Sequence, residues 1–170
     1  MFKECDILDE RKANILRKRS QELTFPLSNE DIRLMNDMIM YLRLSQDEDY
    51  TKKTNVRAGM GLSAVQLGVL KRMFVISYKK EDGTFEEYKV INPKIISHSE
   101  ELIYVEGIVP RYARASIEYY DEFGQRHNIR VREEISVAFQ HEIDHLNGIL
   151  FPDRINKKDP FYNQDNMRAI

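Results

Sequence analysis

Gln140-His141-Glu142-Ile143-Asp144-His145-Leu146-Asn147-Gly148 decides how this chain is read. Its apolar positions, Ile143 and Leu146, continue Ala138 and Phe139 at helical spacing, and Gly148 is placed to end the element. A helix is therefore predicted from about Ile135 to Asn147. Residues four apart on a helix share a face one turn from each other, so His141 and His145 can direct their imidazoles at a common ion. Glu142 lies about 100° further round, within reach of a water held by that ion but off the coordination position, where a general base belongs. A divalent ion brings the pKa of such a water towards neutrality, and a carboxylate can then accept its proton. The bland alternative is a solvated helix face decorated by chance. Against it, two of the chain's four histidines fall in this one turn, and Phe139 and Ile143 flank it with apolar surface. The pattern points to a metal-dependent hydrolase.

Upstream of this helix the period changes. Arg72 to Tyr78, Tyr88 to Asn92, Leu102 to Val105 and Ala113 to Tyr120 are short, β-branched or aromatic, and read as strands. Glu81-Asp82-Gly83 and Asp121-Glu122-Phe123-Gly124 supply turn signals suited to antiparallel hairpins. Before them, Ser28 with Asp31 resembles a capping box, and Met35, Met38, Ile39 and Leu42 recur at helical spacing. This predicts an amphipathic helix from about Asn29 to Leu44 whose methionines pack a core. Ser45 to Asn55 is polar enough for a loop or a frayed helix end. A helix, several strands and a helix make α+β the expected class, with antiparallel strands packed around a C-terminal metal-binding HExxH helix.

One globular domain over residues 1–170 is expected, since 170 residues with 42% hydrophobic content fill one core of ordinary size but not two. The 26 basic residues nearly balance 28 acidic ones, leaving a formal net charge of -2, and neither a nucleic-acid nor an acidic-membrane partner is expected. Met1 to Arg19 is studded with charges and lacks the apolar run of a secretory signal, and no stretch approaches bilayer-spanning length. The sole cysteine, Cys5, excludes an intrachain disulfide and fits a reducing, cytoplasmic setting. Any metal site must also be made without several thiolates. Cys5, far in sequence from the histidines, reads as incidental rather than as a ligand.

An HExxH helix first suggests a zincin-type metallopeptidase, and His141 to Gly148 matches the opening of the extended HExxHxxGxxH pattern. The third histidine position, however, is Phe151, and downstream only Asp153, Asp159 and Asp165 offer anionic ligands. Upstream, Gly59-Met60-Gly61-Leu62-Ser63-Ala64-Val65-Gln66 has two glycines that let backbone approach a ligand closely. The amide of Gln66 can donate to a developing oxyanion, although such glycine-rich runs are more often turns. In this order the two clusters resemble the peptide deformylase family: GMGLSAVQ is similar to its first motif, GxGxAAxQ, and QHEIDHLNG to its third. The resemblance runs on through Val90-Ile91-Asn92-Pro93-Lys94-Ile95 and Val109-Pro110-Arg111-Tyr112-Ala113-Arg114, covering most of the chain. VPRYAR and SQDEDY look most like the longer, Gram-positive type.

The resemblance implies that His141 and His145 bind one divalent ion, Fe2+ with Zn2+ as a substitute, and that Glu142 is the general acid/base while Gln66 stabilises the oxyanion. It implies that backbone groups of Met60 and Gly61 pair with an extended peptide and that Phe139 helps to form a methionine side-chain pocket. The substrate is then a formyl-methionyl peptide on nascent chains at the ribosome, and formate is released. The family's second motif, EGCLS, supplies a cysteine as third ligand and has no match here. One placement sets Glu106-Gly107-Ile108-Val109-Pro110 against it, with Ile108 in place of the thiolate. The other fits better, because GIVPRYAR matches the strand that follows the motif, and leaves EGCLS and its neighbours missing altogether. Glu106 is a candidate carboxylate ligand, completing a His2Glu set. Ser63 stands where the family usually has Ala. The alternative readings are a catalytically degenerate family member that binds a peptide or partner, and the zincin-type peptidase.

Overall fold

The computed structural model of the chain describes residues 6–9, 13–54, 59–104, 109–155 and 167–170. In chain order the elements are α1 (Asn29–Ser45), α2 (Glu48–Thr54), β1 (Gly61–Ser63), β2 (Met73–Lys79), β3 (Phe85–His98), β4 (Leu102–Tyr104), β5 (Arg111–Tyr112), β6 (Arg114–Tyr120), β7 (Arg126–Arg132), α3 (Glu133–Leu146) and β8 (Arg168–Ala169). The sheet order β1-β2-β3-β6-β7 is antiparallel throughout. A smaller sheet has the order β5-β4-β8.

Successive side chains of a strand point to opposite faces. On β2, Met73 and Val75 join a cluster with Met35, Met38 and Leu42 of α1, whereas Phe74 and Ile76 join a second with Phe139, Ile143 and Leu146 of α3. β2 is thus buried on both faces, which is why its sequence is nearly unbroken apolar rather than alternating. The two helices lie on opposite sides of the sheet, and α3 continues across Ala115, Ile117 and Tyr119 of β6 and Val131 of β7.

Local chemistry fixes the helices. The Ser28 hydroxyl accepts the Asp31 N–H at 3.1 Å to cap α1, and the Asp31 carboxylate in turn accepts from Lys71 Nζ at 2.8 and 2.9 Å. At the far end of α3, buried Arg72 donates to the Leu146 carbonyl at 3.0 Å and to Asn147 Oδ1 at 2.9 Å. Gly148 follows with φ of 73°, and a Cβ there would lie 2.4 Å from the Arg17 carbonyl oxygen, so only glycine fits.

Several elements differ from the sequence reading, among them the short strands β5 and β8, which it did not include. Ser45 to Asn55 contains α2, started by the Asp47 carboxylate accepting the Asp49 and Tyr50 N–H groups, with Glu48 and Asp49 in its first turn and Lys52 and Lys53 in its last. Gly61 to Ser63 is a strand rather than loop. β3 runs on past Asn92 to His98, crossing Pro93 through register shifts because proline has no N–H for the ladder. β7 was hidden by its composition: Arg126, Asn128, Arg130 and Arg132 alternate with only Ile129 and Val131 as apolar partners.

Phe139 is fully buried, with its ring 5.5 Å from that of Phe74 and 5.3 Å from that of Tyr88. Phe139→Ala is expected to cost about 3–5 kcal/mol in urea unfolding; a loss under about 1 kcal/mol would show that the ring is not a core side chain.

Candidate active site

The third turn of α3 faces β1. His141 and His145 bring their Nε2 atoms to 3.2 Å, with ring planes at 80°. Two nitrogens each 2.0–2.1 Å from a tetrahedral ion stand about 3.3 Å apart, so this pair already has the bite a single ion requires. Ligand atoms of His141, Glu142 and His145 all lie within 4.8 Å of one another, and among the described residues this is the only such cluster of potential ligands. The donor set therefore fits a divalent metal.

Glu142 and His145 are each only 1% exposed. Burial, aided by His141 and Arg111 and opposed by Asp144, pushes the His145 imidazolium down to about 3. Burial followed by the Arg111 charge lowers that of His141 as well. Both imidazoles are accordingly neutral at ordinary pH, the form that ligates a metal. Glu142 is held from the β1 side. A Cβ on Gly61 would sit 3.0 Å from Glu142 Cγ and 3.1 Å from its Cδ and Oε2, so the glycine is what lets the carboxylate occupy this position. The Ser63 hydroxyl lies 3.3 Å from the Glu142 carbonyl and 3.5 Å from Oε1.

Beneath the histidines, Asp144 accepts from Arg111 Nη1 at 2.6 Å and from Arg154 at 3.0 and 2.7 Å, which neutralises a nearly buried carboxylate and fixes the helix rotation. Gln140 pins β5: its Oε1 accepts the Tyr112 N–H and its Nε2 donates to the Tyr112 carbonyl, both at 2.9 Å. A cleft of about 430 Å³ opens over the site, lined by Met60, Gly61, Val109, Phe151 and the α3 residues Glu134, Val137, Ala138, His141 and Glu142.

His141, Glu142, His145, Met60 and Gly61 are thus brought together. Gln66 follows β1 in a short 3-10 turn, where its Oε1 accepts the Ser63 N–H at 2.9 Å, leaving the Nε2 end as a donor. Phe139 is a correction: it belongs to the sheet-facing core, and Val137 and Ala138 line the cleft in its place, because the helix turns position 139 towards Phe74. Asp153 is occupied elsewhere, accepting the Leu150 N–H at 2.8 Å and pairing with Arg17. Cys5, Glu106, Asp159 and Asp165 lie outside the described residues. Sequence reasoning gave no role to Arg111 and Asp144, although Asp144 sits three residues after His141 and Arg111 inside the VPRYAR segment.

Paired imidazoles, one buried and one half-buried, with an adjacent buried carboxylate at the floor of a cleft edged by strand backbone, define a metal-dependent hydrolase site. The family model for polypeptide deformylase matches residues 6–161. The peptide deformylase of Macrococcus caseolyticus is 41% identical over 169 residues, covering 91% of this chain and 92% of the relative. That of Oceanobacillus iheyensis is 40% identical over 178 residues, covering 97% of each. Among solved structures, a plant peptide deformylase superposes with a TM-score of 0.75 at 27% identity, covering 98% of this chain and 89% of that one. Peptide deformylase from Plasmodium falciparum gives 0.71 at 30% identity, covering 94% and 91%. The chain belongs to the peptide deformylase family, metal-dependent hydrolases that use a single divalent ion to remove N-formyl groups. The zincin-type peptidase and the non-catalytic binding protein are not favoured by this membership.

Two outcomes follow from the geometry. Gly61→Ala crowds the Glu142 carboxylate and is expected to lower turnover at least tenfold while the urea midpoint barely moves; unchanged turnover would mean that the carboxylate has room to shift. In the metal-free protein, His145 refuses the proton that the unfolded chain accepts below its ordinary value of 6.5, so stability present above that pH is lost as pH falls towards about 3. Urea midpoints at pH 7 and at about pH 5 should therefore differ less in His145→Asn than in the parent; equal differences would show that His145 does not contribute.

Proposed function

We propose that this chain hydrolyses the formyl amide of formyl-methionyl peptides, with nascent chains at the ribosome as its cytoplasmic substrates. The observation that carries the reading is the 3.2 Å bite of His141 and His145 with Glu142 packed beside them at the cleft floor. His141 and His145 hold the divalent ion, Fe2+ in the cell with Zn2+ as a substitute, which supplies Lewis acidity towards the formyl oxygen and acidifies a water. Glu142 takes the proton of the attacking water on its carboxylate and delivers it to the methionine nitrogen as the C–N bond breaks, giving formate and a free amine. The Gln66 Nε2 end donates to the oxygen that gains negative charge.

The peptide backbone is best held by β1. Among the described residues it pairs only with β2, which leaves its other edge for an added extended strand. The Met60 carbonyl is engaged by the Ser77 N–H at 2.9 Å, so at the next position, Gly61 opposite Ile76, the backbone groups turn to the other edge and are offered to the substrate. Met60, Val137 and Ala138 give the cleft the apolar lining a methionine side chain requires. Among the described residues no helix is long and apolar enough to cross a membrane.

The third metal ligand in this reading is not a thiolate. The alignment with the Oceanobacillus relative spans 178 positions yet takes in 97% of a chain of 170 residues, so roughly a dozen of the relative's residues have no counterpart here. A gap of that size has room for a missing EGCLS segment, and Glu106 is then the candidate third ligand. Cobalt-loaded protein should then show a tetrahedral-type visible spectrum without a thiolate-to-cobalt band; a band abolished by Cys5→Ser would overturn this assignment.

Formate release from formyl-Met-Ala-Ser tests the whole reading. Chelation should abolish it, and Glu142→Gln should lower it at least about 100-fold with metal content unchanged. Metal-loaded protein that binds the peptide without releasing formate would refute hydrolysis in this chain.

A further inference from the structure

We propose that Gln46, at the end of α1, is a positioning residue for the peptide: its side-chain amide holds the free edge of β1 in the line along which an extended substrate pairs. The inference rests on the reading, given above, that β1 takes the peptide backbone. Leu62 and Ser63 are buried, whereas Gly59, Met60 and Gly61 line the cleft, so the open part of that edge is its N-terminal stretch. Little in this stretch fixes its own course. Two of its three residues are glycines, which have the widest choice of backbone conformation and no side chain to pack. Among the described residues, the last bond between β1 and β2 at this end runs from the Ser77 N–H to the Met60 carbonyl at 2.9 Å.

Beyond that bond the partner of β2 is a side chain. Gln46 Nε2 donates to the Ser77 carbonyl at 2.7 Å and to the Gly59 carbonyl at 2.9 Å, with the Leu42 carbonyl further off at 3.2 Å, and its Oε1 accepts the Lys79 N–H at 3.1 Å. Every contact at the nitrogen is a carbonyl and the contact at the oxygen is an N–H, so the amide fits only one way round. Ser45, fully buried, completes the grip. Its hydroxyl accepts the Gly59 N–H at 3.1 Å and donates to the Leu42 carbonyl at 2.8 Å. Both backbone groups of Gly59 are thus held from α1, the helix on the sheet face opposite α3.

This grip acts on binding rather than on chemistry. His141, Glu142 and His145 stand on α3, which is fixed by bonds of Asp144, Gln140 and Arg72. A substrate that adds to a preformed edge is spared the cost of ordering it, a gain made equally in the ground and transition states. The gain grows with the number of peptide units laid along Met60 and Gly59, so a peptide depends on Gln46 more than formyl-methionine alone does. Neither a shorter nor an acidic side chain replaces this amide: asparagine is one methylene short of spanning Ser77 and Gly59, and glutamate sets a carboxylate against two carbonyl oxygens.

Steady-state formate release from formyl-Met-Ala-Ser and from formyl-methioninamide, with urea midpoints on the same proteins, tests the assignment. Gln46→Met, which keeps the length and removes the hydrogen bonds, should raise KM for the tripeptide at least about fivefold with kcat within about twofold, and should shrink the tripeptide's advantage in kcat/KM by a similar factor. Ser45→Ala should move both in the same direction by less. Asn92→Ala controls for lost stability alone, because the Asn92 amide also ties two chain segments, accepting the Leu23 N–H and donating to the Leu23 carbonyl at 2.9 Å each, in a pocket other than the cleft. It should lower the urea midpoint and leave the tripeptide's advantage unchanged. The inference fails if Gln46→Met lowers kcat with KM unmoved, if both substrates lose equally, or if Asn92→Ala erodes the advantage as much. A parent that binds the peptide without releasing formate would count against the proposed function instead, and the same comparison would then be read from peptide Kd by calorimetry.

Discussion

Burial of β2 on both faces is the constraint from which the rest of the molecule follows. A strand whose alternate residues are all apolar cannot leave either side to water, so α1 must close one face and α3 the other. That sandwich sets the height of α3 over the sheet and brings its third turn against β1. Only then does a glycine at position 61 become necessary, because the Glu142 carboxylate occupies the space a Cβ would fill. The polar groups that remain are satisfied at the ends of this arrangement. Arg72 takes the last carbonyl of α3, Gln140 holds Tyr112 at both its N–H and its carbonyl, and Asp144 is neutralised by two guanidinium groups.

Much of this was legible in the residues because it depends on short-range periodicity. The four-residue spacing of His141 and His145 placed them on one helix face, Ser28 marked the start of α1, and glycines 83 and 124 marked hairpin turns that the structure contains with positive φ. What stayed hidden depends on partners distant in sequence. Phe139 reads as adjacent to the metal ligands, yet which way position 139 turns is decided by Phe74 and Tyr88 on two strands. Asp144 looks like a solvated helix acid until Arg111 and Arg154 are placed against it. β7 has the period of a strand but not its usual composition, because only its inner face meets a helix.

Both imidazoles come from a single turn of one helix, and the helix itself is fixed from below by Asp144, Gln140 and Arg72. The ion-holding pair is therefore modular. A further donor from outside this helix can differ in position or chemistry without refolding the floor. Affinity for the ion, its electrophilicity and its sensitivity to oxidation are then traits that a lineage can retune one loop at a time on an unchanged chassis.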